Sequence, residues 1–302
     1  MGRFGSVVTA MVTPFHRDGT LDVDGAVTVA DHLVTTGSDG LVLAGTTGEG
    51  PVLTDAEALE LFRAVVGAVN VPVIAATGSN DTAHAVAFTR SAANLGVDGV
   101  LVVTPYYNRP SAAGLSAHFR TVAAATDLPV VLYDIPVRTG RRIGTDLLIE
   151  LACEVPNIMG VKDSTHDVAA AARVVAETPE TFEVYCGDDA LTLPFLAVGG
   201  VGIVSVAAHW AGTTMAEMVA AFNAGDLERA RSANHRLAES YDFEGSELYP
   251  NPVPAKAACR AQGLPAGQCR LPNAEAPESL VDQARGVIER LRQHSSNRQS
   301  VA

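Results

Sequence analysis

Lysine is almost missing from this sequence: Lys162 and Lys256 are the only two in 302 residues, against 19 arginines. Arginine serves most surface and ion-pair roles, but its guanidinium stays protonated and cannot form an imine. Any lysine retained against that bias is therefore informative. Cysteine is scarce too. Cys153, Cys186, Cys259 and Cys269 show no CxxC spacing and are too few for a disulfide framework in a chain of this size, so reduced thiols in a cytoplasm are expected. Long apolar runs are lacking, and none approaches the roughly 20 residues that span a bilayer. Positive charge is in deficit, with 21 Lys and Arg against 34 Asp and Glu for a net charge of −13, which argues against nucleic acid or an anionic membrane as partner. The opening MGRFGS fits the loose myristoylation pattern, but an apolar stretch that reads as a first strand follows at once.

Short Val/Ile/Leu-rich runs recur along the chain, each followed by a longer Ala-rich amphipathic segment. That alternation predicts βα units around a parallel sheet. Eight such runs begin near Ser6, Gly40, Pro72, Gly99, Pro129, Ile158, Thr181 and Gly202. They are apolar on both faces, as strands are when one side fills a barrel and the other lies under helices. An open doubly wound sheet is the alternative, but it would place a glycine fingerprint after its first strand, and here that strand ends in Thr13-Pro14-Phe15. The expectation is a (β/α)8 barrel over residues 1–225 and a helical region over 226–302, broken by the proline-rich residues 249–254. The polar stretch from Gln293 to Ala302 reads as a frayed tail.

Lys162 lies in the apolar-flanked IMGVKD segment, at the C-terminal end of the sixth run, where barrel active sites are built. A free amine there is a candidate imine-forming nucleophile. An ion pair with Asp163 or Asp188 is the competing reading of the same residue. Lys256, beyond the barrel, reads as a solvated or interface helix residue. The second run leads into Gly45-Thr46-Thr47-Gly48-Glu49-Gly50, whose hydroxyls and N–H groups suit a carboxylate ahead of the next helix, though an ordinary glycine-rich turn fits as well. The fifth run ends in Tyr133-Asp134-Ile135-Pro136-Val137-Arg138. That brings a phenol able to move protons and a guanidinium able to grip a carboxylate, unless Tyr133 is simply a core aromatic. The eight histidines and four cysteines have no spacing that reads as a metal site, and no cofactor is expected.

Taken in order, the motifs TAMVTPF (9–15), GTTGE (45–49), TPYYNRP (104–110), LYDIPVRTG (132–140), GVKDST (160–165), CGDD (186–189), GIVSV (202–206) and YPNPVPAK (249–256) resemble the dihydrodipicolinate synthase family. This family lies within the N-acetylneuraminate lyase superfamily. The resemblance implies that Lys162 forms a Schiff base with pyruvate and that Tyr133 donates and accepts the protons, with Thr46 and Tyr107 completing the relay. It also implies that Thr47 and the backbone at Val204 hold pyruvate, that Gly187 is a further substrate-binding residue, and that Arg138 receives the carboxylate of L-aspartate-4-semialdehyde. In the family the second tyrosine of TPYYNRP reaches into a neighbouring subunit, so Tyr107 implies a homodimer, commonly paired into a homotetramer. Sugar-acid lyases of the superfamily carry Ser-Thr at Thr46-Thr47 and lack Arg138-Thr139-Gly140, which favours the synthase. A barrel that binds a keto acid without turnover is the more remote alternative, and intact Lys162, Tyr133, Thr46 and Tyr107 count against it. In lysine-inhibited members the effector site uses polar residues after GTTGE and a glutamate on the helix after strand three. Here the stretch is GPVLTDAEA (50–58) and the helix position is His84, while Asn80 and Tyr106 remain. Without a carboxylate partner for a cationic amino acid, feedback inhibition is expected to be weak or absent.

Overall fold

The computed structural model describes residues 2–299. Met1, the first residue of the acylation match, and residues 300–302 of the expected tail lie outside them. Eight parallel strands close into a barrel in sequence order: β1 (Val7–Ala10), β2 (Gly40–Leu43), β3 (Val73–Ala76), β4 (Gly99–Val103), β5 (Val130–Asp134), β6 (Ile158–Asp163), β7 (Glu183–Cys186) and β8 (Gly202–Ser205). Each falls within one of the eight runs picked out by apolar patterning, and β8 returns to pair with β1 through Val8 and Val204. The fold is the (β/α)8 barrel, not the open sheet.

Side-chain alternation divides the apolar residues into two cores. Val8, Ala10, Val42, Ile74, Leu101, Val131, Tyr133, Tyr185 and Val204 fill the barrel with Phe4 beneath them. Their strand neighbours, such as Leu41, Leu43, Leu132 and Val161, face outward into the larger core under the helices. That ring comprises α1 (Val23–Thr35), α2 (Asp55–Val66), α3 (Thr82–Ala93), α4 (Ala112–Ala123), the single turn α5 (Pro136–Thr139), α6 (Thr145–Glu154), α7 (Val168–Glu177), α8 (Thr192–Ala197) and α9 (Ala208–Asn223). Helix starts follow local chemistry. Asp22 caps α1 by accepting from the Gly25 N–H, and Thr54 with Glu57 forms a reciprocal capping box on α2.

Three further helices follow, α10 (Leu227–Phe243), α11 (Val253–Ala261) and α12 (Glu278–Gln299). The last, α12, runs into the stretch from Gln293 that was expected to be a frayed tail.

Candidate active site

Strand register sets the centre of the site. Tyr133 on β5 and Lys162 on β6 are direct partners, and alternation turns both inward, since Leu132 and Val161 just before them face the outer core. Both are almost fully buried, and the Lys162 Nζ sits over the Tyr133 ring, 4.4 Å from its centroid. Among the described residues no carboxylate lies within ion-pair distance of Lys162. Asp163 points to the outer side and is held there by the Thr165 N–H at 2.8 Å, while Asp188 pairs with His166 at 2.9 Å. The ion-pair reading of Lys162 is therefore not what the geometry offers. Tyr185, the lysine's partner on β7, is fixed at the opposite end of the barrel, where its hydroxyl donates to Glu183 at 2.8 Å and accepts from the Phe4 N–H at 3.3 Å. Tyr133 is thus the phenol that accompanies the amine. Gly187 follows β7 and borders the lysine stem: a Cβ there would lie 2.0 Å from the Ser164 Oγ and 3.2 Å from the Lys162 Cε. Val204 lies on β8 in the barrel interior.

The loop after β2 is sharply folded. Ala44 and Glu49 adopt left-handed backbone at φ 54° and 56°, the Gly50 N–H returns to the Gly45 carbonyl at 3.0 Å, and Thr13 in the segment after β1 donates to the Gly48 carbonyl at 2.6 Å. Such conformations persist only where surroundings dictate them. Gly50 is required on space alone, because a Cβ would meet the Ala44 carbonyl oxygen at 2.1 Å. The turn presents Thr46, half-buried, and Thr47, buried.

A segment far along the chain covers this loop. The Asn251 Nδ2 donates to the Thr47 Oγ1 at 3.0 Å, and the Asn251 carbonyl accepts from the Arg138 Nη2 at 3.2 Å. Five residues on, Lys256 is fully buried, which corrects its reading as a solvated or interface residue. Its Nζ forms an ion pair with the Glu49 Oε1 at 2.6 Å and donates to the Gln268 carbonyl at 2.8 Å. The Phe15 ring has the Lys256 ammonium at 4.3 Å and the Arg270 guanidinium at 4.1 Å from its centroid. The Arg270 N–H binds the other Glu49 oxygen at 2.8 Å, and its side chain pairs with Glu57, whose carboxyl it holds down at about 2. Patterning identifies α11 but not what it faces. Asn251 was missed for the same reason, although a lone amide inside YPNPVP was the available signal.

A cavity of about 480 Å³ opens at the mouth and brings together Thr46, Tyr133 and Arg138 on one side with Asp55, His84 and Tyr106 on the other. The absence of a carboxylate near His84 is thereby corrected. Both Asp55 oxygens lie 3.0 Å from the His84 Nε2, a cross-helix contact that spacing does not reveal. Tyr107 is not drawn into this group. Its backbone is left-handed at φ 68°, its N–H binds the Thr139 carbonyl at 3.3 Å, and its ring is 90% exposed.

Carboxylic acids crowd the outer side of the same strands. Burial pushes Asp134 up to about 7 against the pull of its bond from the Ile143 N–H, and also raises Asp163. Asp189, buried, accepts from Ser205 and from the Val206 N–H at 2.8 Å, and Glu244 lies against it. Burial raises both, Glu244 strongly, with the neighbouring Asp189 charge adding to the effect on Glu244.

A closed (β/α)8 barrel with an amine and a phenol paired on adjoining strands at its C-terminal face places the chain in the class of barrel lyases. Its sequence matches the profile of the dihydrodipicolinate synthetase family over residues 3–291, and the chain belongs to that family. It is 51% identical over 272 residues to the 4-hydroxy-tetrahydrodipicolinate synthase of Moorella thermoacetica, covering 89% of this chain and 92% of that protein. Among solved structures it resembles the dihydrodipicolinate synthase of Cyanidioschyzon merolae with lysine bound, at 42% identity and TM-score 0.92, over 96% of this chain and 99% of the other. It also resembles a dihydrodipicolinate synthase variant described as the first monomeric one, at 33% identity and TM-score 0.91, over 95% and 97%.

Proposed function

We propose that this chain is a 4-hydroxy-tetrahydrodipicolinate synthase that condenses pyruvate with L-aspartate-4-semialdehyde in the cytoplasm. The observation that carries the reading is the Lys162 amine lying over the Tyr133 ring, free of any carboxylate partner among the described residues. The Lys162 Nζ attacks the pyruvate keto carbon, and loss of water gives the imine. The imine accepts electrons as a methyl proton leaves, producing an enamine. The enamine carbon attacks the aldehyde, whose oxygen takes a proton to become the 4-hydroxyl. The semialdehyde's own amine then attacks the imine carbon, closes the six-membered ring and expels Lys162 as a free amine. The product is (4S)-4-hydroxy-2,3,4,5-tetrahydrodipicolinate.

Tyr133, which touches the amine, moves the protons of imine formation and ring closure, with Thr46 in the same cavity. Thr47, the Val204 backbone and Gly187 hold pyruvate, and Arg138 takes the carboxylate of the semialdehyde. Tyr107 completes the relay in a neighbouring subunit, a role supported by a tyrosine ring left 90% exposed beside a site that lacks it. The functional assembly is then a homodimer, paired into a homotetramer. Turnover of pyruvate plus aspartate semialdehyde is expected to exceed cleavage of N-acetylneuraminate or a 2-keto-3-deoxy sugar acid by orders of magnitude. Faster sugar-acid cleavage by the purified protein overturns the assignment.

Feedback by L-lysine is expected to be weak, for a reason altered by the structure. The cavity does hold a carboxylate, but Asp55 is already engaged by His84. Steady-state inhibition by L-lysine should stay above the millimolar range, and His84→Glu should tighten it by about tenfold by freeing Asp55 and adding a second anion. Sub-millimolar inhibition of the unaltered protein contradicts this.

A further inference from the structure

We propose that Asn251 is a positioning residue for the pyruvate carboxylate, acting through Thr47. The inference rests on the synthase reading above. Thr47 is buried with its Oγ1 3.0 Å from the Asn251 Nδ2. A threonine hydroxyl has one proton to give, and where that proton points depends on what its neighbour offers. With the amide N–H donating to the Thr47 Oγ1, the hydroxyl proton is left for a carboxylate. With the amide turned over, the Asn251 Oδ1 would take that proton and Thr47 would face a carboxylate with lone pairs. The Oδ1 is itself buried and has no donor. Turning the amide over would only leave the NH2 in its place, so its internal balance is similar either way. An anion in front of Thr47 decides between them, because only the first orientation gives it a donor.

The Asn251 main chain has a separate duty. Its carbonyl accepts from the Arg138 Nη2 at 3.2 Å, so one residue of the C-terminal region touches both carboxylate-binding side chains, one through its amide and one through its backbone. A side-chain substitution removes the first contact and keeps the second, which separates the two substrates.

The test is steady-state kinetics of Asn251→Ala and Asn251→Asp with both substrates, alongside Thr47→Val and the double variant Thr47→Val with Asn251→Ala. For Asn251→Ala the pyruvate KM should rise about tenfold, while kcat and the semialdehyde KM stay within about twofold. Asn251→Asp is nearly isosteric but can only accept, so it claims the Thr47 proton and adds negative charge. Its pyruvate KM should rise about a hundredfold, more than for alanine. In the double variant the pyruvate KM should match that of Thr47→Val alone. Equal or smaller effects for aspartate than for alanine, or additive effects in the double variant, overturn the proposal and leave Asn251 a structural contact. Thermal unfolding of each variant separates misfolding from lost binding, and imine trapping over a pyruvate titration reads the same rise in the pyruvate concentration needed, with an unchanged maximum, without the second substrate. If the unaltered protein fails to trap pyruvate on Lys162, the synthase reading fails instead.

Discussion

Replacing Lys162 by arginine should eliminate covalent capture of pyruvate and lower turnover by roughly four orders of magnitude or more. Arginine keeps the charge and most of the length, so a lysine serving only as a cation beside the Tyr133 ring would tolerate it. An imine-forming lysine would not, because the guanidinium does not become a free nucleophile. Borohydride added with pyruvate should fix a reduced pyruvyl adduct on the unaltered protein, and peptide mass mapping should place it on Lys162. Lys256 should remain unmodified: it has no exposed surface and is held by Glu49 and the Gln268 carbonyl. An adduct elsewhere, or active enzyme with Lys162 untouched, would sink the assignment.

The largest effect on stability is expected at the other lysine. Glu49 and Lys256 face each other with no exposed side-chain surface. Burial works to lower the Lys256 pKa while Glu49 works to raise it. Removing one partner strands the other charge, so Glu49→Gln or Lys256→Met should each cost about 3–5 kcal/mol in denaturant unfolding. The double variant should cost clearly less than the two singles together, since no unpaired charge remains. Singles costing under about 1 kcal/mol, or a fully additive double, would show that the pair does not matter in this way. The pair also pins the left-handed Glu49 that ends the Thr46-Thr47 turn, so pyruvate binding should weaken in the singles at temperatures well below their unfolding.

These two lysines also mark what the sequence makes legible. Runs of apolar residues report strand positions directly, because burial on both faces of a barrel strand demands them, and the eight strands fall where those runs lie. Lys162 was legible because the end of a barrel strand is a location that chain order specifies. Lys256 was not, because its environment consists of Glu49, Phe15 and Gln268, which only the closed fold assembles. The scarcity of lysine was a usable sign. A planar fork would not replace a compact ammonium wedged between a ring, a carboxylate and a carbonyl. The Asp55–His84 contact and the Asn251–Thr47 bond were hidden for the same reason, each joining separate elements across the mouth.

Gly187 carries a different kind of consequence. Its Cα stands where any Cβ would displace the Ser164 hydroxyl and press within 3.1 Å of the Asp163 carbonyl and 3.2 Å of the Lys162 stem. Every single-nucleotide missense change of a glycine codon produces a residue with a Cβ. At this position heredity has no small step to take. Lys162 should therefore be open to disturbance by mutations that leave its own codon intact, and a survey of inactive alleles is expected to find them at Gly187 as readily as at Lys162.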